Sequence, residues 1–116
     1  MAKREIVGLV EKVVLVGKTK SAALYARIDT GATKSSVDKA LVNALNLGPI
    51  IRSKKVKNVL GSVLRPIIKA KVNIAGKIRE EEFTIADRRH MKYQLLIGQN
   101  ILKKERFLID PLKGKR

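Results

Sequence analysis

Residues 67 to 85 read IIKAKVNIAGKIREEEFTI, with apolar and charged side chains alternating on both sides of an Ala75-Gly76 turn. A period of two is that of a strand with one face buried, which commits this stretch to an antiparallel pair laid on a core. Helical spacing is confined to one place: Val37, Ala40, Leu41, Ala44 and Leu45 share a face, Ser35 or Ser36 stands where a cap belongs, and Gly48-Pro49 closes the segment. A short helical turn is also expected after Gly98. Only 3% of the 116 residues are aromatic while 45% are hydrophobic, so the core must come from Val, Ile, Leu and Ala, a mix that favours strands.

The other segments follow the same logic. Residues 6 to 16, IVGLVEKVVLV, suit two short strands or one bent strand, and Lys18 to Ser21 form a polar turn. From Ala22 to Ile28 the side chains alternate, with Leu24, Ala26 and Ile28 on one face and Tyr25 and Arg27 on the other. Val59-Leu60-Gly61-Ser62-Val63-Leu64 places a glycine at the centre of an apolar hairpin. No repeat, linker or low-complexity tract divides the chain, so a single domain over 1–116 is expected, all-β with one or two short helices.

Several function classes fall away. With no cysteine and one histidine, His90, there is no disulfide scaffold, thiol nucleophile or zinc knuckle. No HExxH pair or GxxxxGK(S/T) loop occurs, so neither a metal nor a nucleotide cofactor is expected. The longest uncharged apolar stretch, Ala40 to Ile51, is too short and too interrupted to span a membrane. Lys3 and Arg4 lead into no signal-peptide core, and a cytoplasmic chain is expected. The net charge of +16 implies attraction to phosphate-rich or carboxylate-rich partners. Its basic runs at 52–57, 88–92 and 113–116 are read as solvated faces, His90 as a surface residue, and Glu80-Glu81-Glu82 as a solvated strand edge.

The informative motif is Asp29-Thr30-Gly31-Ala32, an Asp delivered by an alternating strand and followed by a small hydroxyl and a glycine. That arrangement suits a carboxylate at the base of a cleft with backbone N–H groups close by. A strand-ending turn in which Asp and Thr satisfy backbone N–H groups is the plainer alternative. Downstream, Leu95-Leu96-Ile97-Gly98 ends in a glycine and leads into Gln99-Asn100-Ile101-Leu102.

Taken together, these pieces resemble the retropepsins, the retroviral-type aspartic proteases, over roughly Ala22 to Leu102. The likeness extends to the small cellular retropepsin-like proteins often named ATP-dependent zinc proteases, through Thr33-Lys34-Ser35-Ser36 and Phe107-Leu108-Ile109-Asp110-Pro111. The resemblance implies a closed, β-barrel-like single lobe. It implies catalytic roles for Asp29, Thr30 and Gly31, with substrate contacts from Ala32, Thr33, Ile97 and a flap at Leu60, Gly61 and Ser62. The partner would be a peptide or protein laid as an added strand, and the active form a homodimer, because one Asp per chain is half of a proton-sharing pair. Retroviral enzymes usually carry an ion-paired Asp and Arg where this chain has Thr33 and Gln99, so the coupling between subunits differs. The rival reading is a basic, non-catalytic β module binding RNA or a ribosomal surface; the scarcity of aromatic side chains disfavours base stacking.

Overall fold

A computed structural model describes residues 3–114; Lys115 and Arg116 of the basic tail lie outside the described residues. Six strands close into a barrel: β2 (Val10–Val16), β3 (Ser21–Ile28), β8 (Leu95–Ile97), β4 (Ser36–Asp38), β7 (Lys77–Ala86) and β6 (Gly61–Ile74). The ring is shut by antiparallel pairing of Val14–Val16 with Lys71–Asn73. A seventh strand, β5 (Ile50–Asn58), pairs only with β6 and leaves the barrel as one side of a hairpin arm. Outside the barrel, β1 (Ile6–Val7) lies parallel to β9 (Leu108–Ile109), which ties the two ends of the chain together.

The alternation in the sequence explains the core. On β6, Ile68, Ala70, Val72 and Ile74 turn inward while Lys69 and Lys71 face out. Opposite them on β7, Glu82 pairs with Lys69 and Glu80 with Lys71, so opposite charges meet across the strands on the outer face. Val13, Leu15, Ala26, Val37, Phe83, Leu95 and Ile97 complete the barrel interior, and Ile101 and Leu102 of the short helix α2 (Gln99–Lys104) plug one side. No helix among the described residues is long and apolar enough to cross a membrane.

Three expectations need correction. The helix, α1, spans only Lys39–Leu45, and the serines do not cap it: Ser36 and Val37 belong to β4, which bonds both β7 and β8. Two sheet partners outweigh the local helical spacing of Val37. The hairpin is far longer than residues 59–64, because the cationic run of β5 pairs in register with β6, Lys54 opposite Arg65 and Val56 opposite Val63. Its turn is Val59-Leu60, followed by Gly61 at φ +130, a conformation that L side chains rarely adopt. Finally, β7 is not an edge but lies between β4 and β6, and Glu81 is buried. A period of two that turns Phe83 inward turns Glu81 inward as well.

Candidate active site

The Asp29 loop begins where β3 ends. The Asp29 N–H donates to the Ile97 carbonyl at 2.9 Å, which extends the parallel β3–β8 pairing by one residue and places the side chain just beyond the barrel rim. Its Oδ1 accepts the Gly31 N–H at 2.9 Å. A Cβ on Gly31 would lie only 3.3 Å from that oxygen, so glycine gives the carboxylate room. Thr30 and Gly31 are exposed, and Asp29 and Ala32 are half-buried.

Beneath the loop runs the chain that leaves β8. Gly98 passes so close that a Cβ would lie 2.4 Å from the Lys34 carbonyl oxygen and 2.8 Å from that of Ala32. The first turn of α2 then binds the loop from below. The Gln99 N–H donates to the Ala32 carbonyl at 2.8 Å, the Asn100 N–H to that of Thr33 at 3.2 Å, and Gln99 Nε2 to that of Thr30 at 2.7 Å. Gln99, neutral where retroviral enzymes carry Arg, is thus bound to the loop of its own chain.

Ser35 and Asn100 support the chain beneath the loop, and the sequence reading missed them. Ser35 is fully buried; its hydroxyl accepts the Gly98 N–H at 2.9 Å and donates to Asn100 Oδ1 at 2.7 Å. Asn100 Nδ2 passes the chain on to the Glu82 carbonyl at 3.0 Å. No spacing in the sequence connects positions so far apart.

Between the Asp29 loop and the hairpin arm lies an open cleft of about 560 Å³. Gly31, Ala32 and Thr33 form its floor on one side, with Val56 and Leu96 as apolar wall. Leu96 rather than Ile97 faces it: Ile97 is buried in the core and contributes only its carbonyl. Leu60, Gly61 and Ser62 are not among the cleft residues, for the arm carries them out to an exposed tip where Leu60 is 95% exposed. The cleft is cationic, with Lys34, Lys54, Lys55, Lys57, Arg65 and Arg88 around it and no carboxylate in its lining.

Arg88 was not singled out by the sequence. The buried Asp38 carboxylate accepts its N–H at 2.7 Å, and its Nε donates to the Tyr93 carbonyl at 2.9 Å. Burial lowers the pKa of its guanidinium, opposed by the charges of Asp38 and Asp29, and an arginine so shifted is still a cation at neutral pH. His90 is exposed. No group of three or more His, Asp or Glu side chains among the described residues is gathered so as to hold a metal ion.

A six-stranded closed barrel with an aspartate loop at its rim and a hairpin arm above is a retropepsin fold, and solved structures match it. The EIAV protease in complex with the inhibitor HBY-793 superposes with a TM-score of 0.66 at 20% identity, covering 95% of each chain. The Simian Foamy Virus (mac) protease gives 0.61 at 18% identity, covering 81% of this chain and 91% of that one. The protein Lpg0085 of Legionella pneumophila, described as of unknown function, gives 0.64 at 19% identity and covers 94% of each. No curated protein sequence matches the chain. The profile of the RimB-like family, described as retropepsin-like aspartic endopeptidase RimB, matches residues 38–115, beginning after the Asp29 loop. The chain belongs to the RimB-like family of retropepsin-like proteins.

The crossing beneath the loop yields a test of its support. Gly98→Ala forces a methyl into two backbone carbonyls that have no room to move, and is expected to cost about 3 kcal/mol of stability. Urea unfolding of the variant beside the wild type measures it; a loss under about 1 kcal/mol would show the crossing to be loose.

Proposed function

We propose that the chain is an aspartic endopeptidase active as a homodimer, with Asp29 of each copy meeting at a twofold axis, and that it cleaves extended peptides, acidic ones in preference. The observation that carries this reading is the Asp29 carboxylate at the barrel rim. Among the described residues it accepts a hydrogen bond only from Gly31, in its own turn, and the next residues of that turn, Gly31, Ala32 and Thr33, line the open cleft. A structural aspartate would be enclosed by donors, as Asp38 is by Arg88 and Gln94.

The chemistry requires two such carboxylates sharing one proton. The ionised one takes a proton from a water as the water oxygen bonds to the scissile carbonyl carbon, and the protonated one gives its proton to the carbonyl oxygen. When the C–N bond breaks, a proton passes to the departing nitrogen and the pair returns to its starting state. In this reading a second copy of the chain supplies the second carboxylate, and Thr30, which is exposed beside Asp29, bonds across the axis. Substrate enters as an added strand between loop and arm.

One substitution removes both members of the pair. Asp29→Asn is expected to leave the fold intact and to reduce peptide cleavage to below about 1% of wild type, since loss of acid and base costs at least the ~10²-fold of one such role. A library of unbiased peptides read by mass spectrometry tests this, and higher residual turnover in clean protein rejects the pair.

Thr33 and Gln99 stand where retroviral enzymes carry an ion pair, and the hollow beside Thr30 is lined by Arg4, Lys103 and Arg106. Like charges oppose association, so the dimer is expected to be weak and specific activity to fall on dilution. Activity proportional to enzyme across the whole monomer–dimer range found by ultracentrifugation contradicts it.

The cationic cleft sets the third expectation. Attraction of an acidic peptide acts on its encounter and is screened over a Debye length of about 8 Å at physiological salt. The ratio of kcat/KM for a Glu-flanked peptide over a neutral one is therefore expected to exceed unity and to shrink as NaCl rises; taking the ratio cancels any salt effect on the dimer. A ratio at or below unity at low salt assigns the charge to another partner, with RNA competition as the next measurement.

A further inference from the structure

Buried inside the barrel wall, away from the cleft, is a carboxyl that peptide cleavage does not use. Glu81 is 2% exposed. Its Oε1 accepts Lys104 Nζ at 3.1 Å, but its Oε2 is buried with no hydrogen-bond donor among the described residues. The same ammonium gathers a second carboxyl: Lys104 Nζ lies 3.1 Å from Glu81 Oε1 and 3.9 Å from Oε2 of Glu105, just beyond the end of α2. Two carboxylates on one lysine, one of them buried with an oxygen that no donor among the described residues reaches, repel each other unless one keeps its proton. We propose that Glu81 and Glu105 share a single proton which latches the end of α2 to β7, and that loss of this proton loosens the helix that holds the Asp29 loop.

The surrounding charges fix which acid carries it. From the far side, Arg79 Nη1 meets Glu105 Oε1 at 2.6 Å while its Nη2 meets Glu5 Oε1 at 2.6 Å, with its guanidinium over the Phe107 ring. Lys104 of α2 lies against both acids. Lys69 of β6, Lys34 of the loop after Asp29, and Glu80 and Glu82 border the same shallow hollow. Its interaction with Glu81, then with Arg79 and Lys104, holds the Glu105 carboxyl below the usual carboxylate range, so Glu105 is the ionised member. Burial, helped by Glu105 and opposed by Lys104, pushes Glu81 up to about 7, so Glu81 is the donor.

The helix carries the effect to the loop. Its far end is held by this cluster and by Lys104 Nζ on the Glu80 carbonyl at 2.6 Å, and its first turn makes the Gln99 and Asn100 bonds to Thr30, Ala32 and Thr33. The helix is six residues long, about 9 Å at 1.5 Å per residue. In the unfolded chain Glu81 releases its proton near 4.5, in the folded one near 7. The folded state therefore binds the extra proton between these values, and the stability it contributes, complete below the lower one, is lost as pH rises through about 7.

The test follows the proton directly and is conformational, so it stands whether or not the chain cleaves peptides. NMR titration of the Glu side-chain carboxyls from about pH 4 to about pH 9 is expected to give Glu81 a midpoint near 7, far above an ordinary Glu. The Thr30 and Gly31 amides should shift with the same midpoint. In Glu81→Gln, whose neutral amide has no proton to lose in this range, that inflection should vanish. The unfolding constant of wild type relative to this variant should also rise about ten- to a hundredfold between about pH 5 and about pH 8. A Glu81 midpoint below about 5.5 overturns the shared proton, and a normal titration of Glu81 near 7 without response at Thr30 and Gly31 overturns the link to the loop. Should Glu81→Gln not fold, the wild-type titration decides both points, and Glu105→Gln, expected to draw the Glu81 midpoint downward, serves as the second variant.

Discussion

The contact on which this architecture turns is the passage of Gly98 beneath the Asp29 loop. Two backbones that close can approach only where one has no side chain, and the carbonyls of Ala32 and Lys34 occupy the space that a methyl on residue 98 would need. The approach brings the first N–H groups of α2 up against the loop carbonyls, where Gln99 and Asn100 satisfy them. It also brings the Gly98 N–H to the Ser35 hydroxyl, so a loop of small residues is bonded from three directions.

From that crossing the site and its supports form one connected body. Ser35 bonds to Asn100, Asn100 to the β7 backbone at Glu82, and β7 to the end of α2 through Glu81 and Lys104. A short helix is marginal by itself, and here it is held at both ends by the barrel it plugs. The loop conformation of Asp29 is therefore a property of the barrel rather than of its own sequence.

Charge is divided by depth. Most charged side chains lie on the outside, six cations among them around the cleft, where charge acts over distance and is screened. The charges drawn inward are few and neutralised locally: Arg79 by Glu5 and Glu105, Asp38 by the loop it holds. Burial of that kind stabilises only when every partner is in place, which is why the Glu81 oxygen left without a donor among the described residues stands out.

Much of this was legible in the residues alone. Period two marks the β6–β7 pair and its turn, the alternating strand leads into Asp29, and the sparse aromatics leave an aliphatic barrel, because these depend on neighbours in sequence. The resemblance to retropepsins, read from Asp29 to Ala32 and from Leu95 to Gly98, agrees with the family and the fold. What sequence could not decide was set by partners distant along the chain. Ser36 and Val37 became strand because β7 and β8 stood on either side, Ser35 became a buried relay because Gly98 and Asn100 came to it, and Leu96 rather than Ile97 met the cleft. Glu81, one of three successive glutamates with equal claim to solvent, was carried inward by the register of Phe83. Local pattern determines which faces are apolar; only the closed barrel determines which residue then lies opposite which, and there the hydrogen bonds and proton affinities are settled.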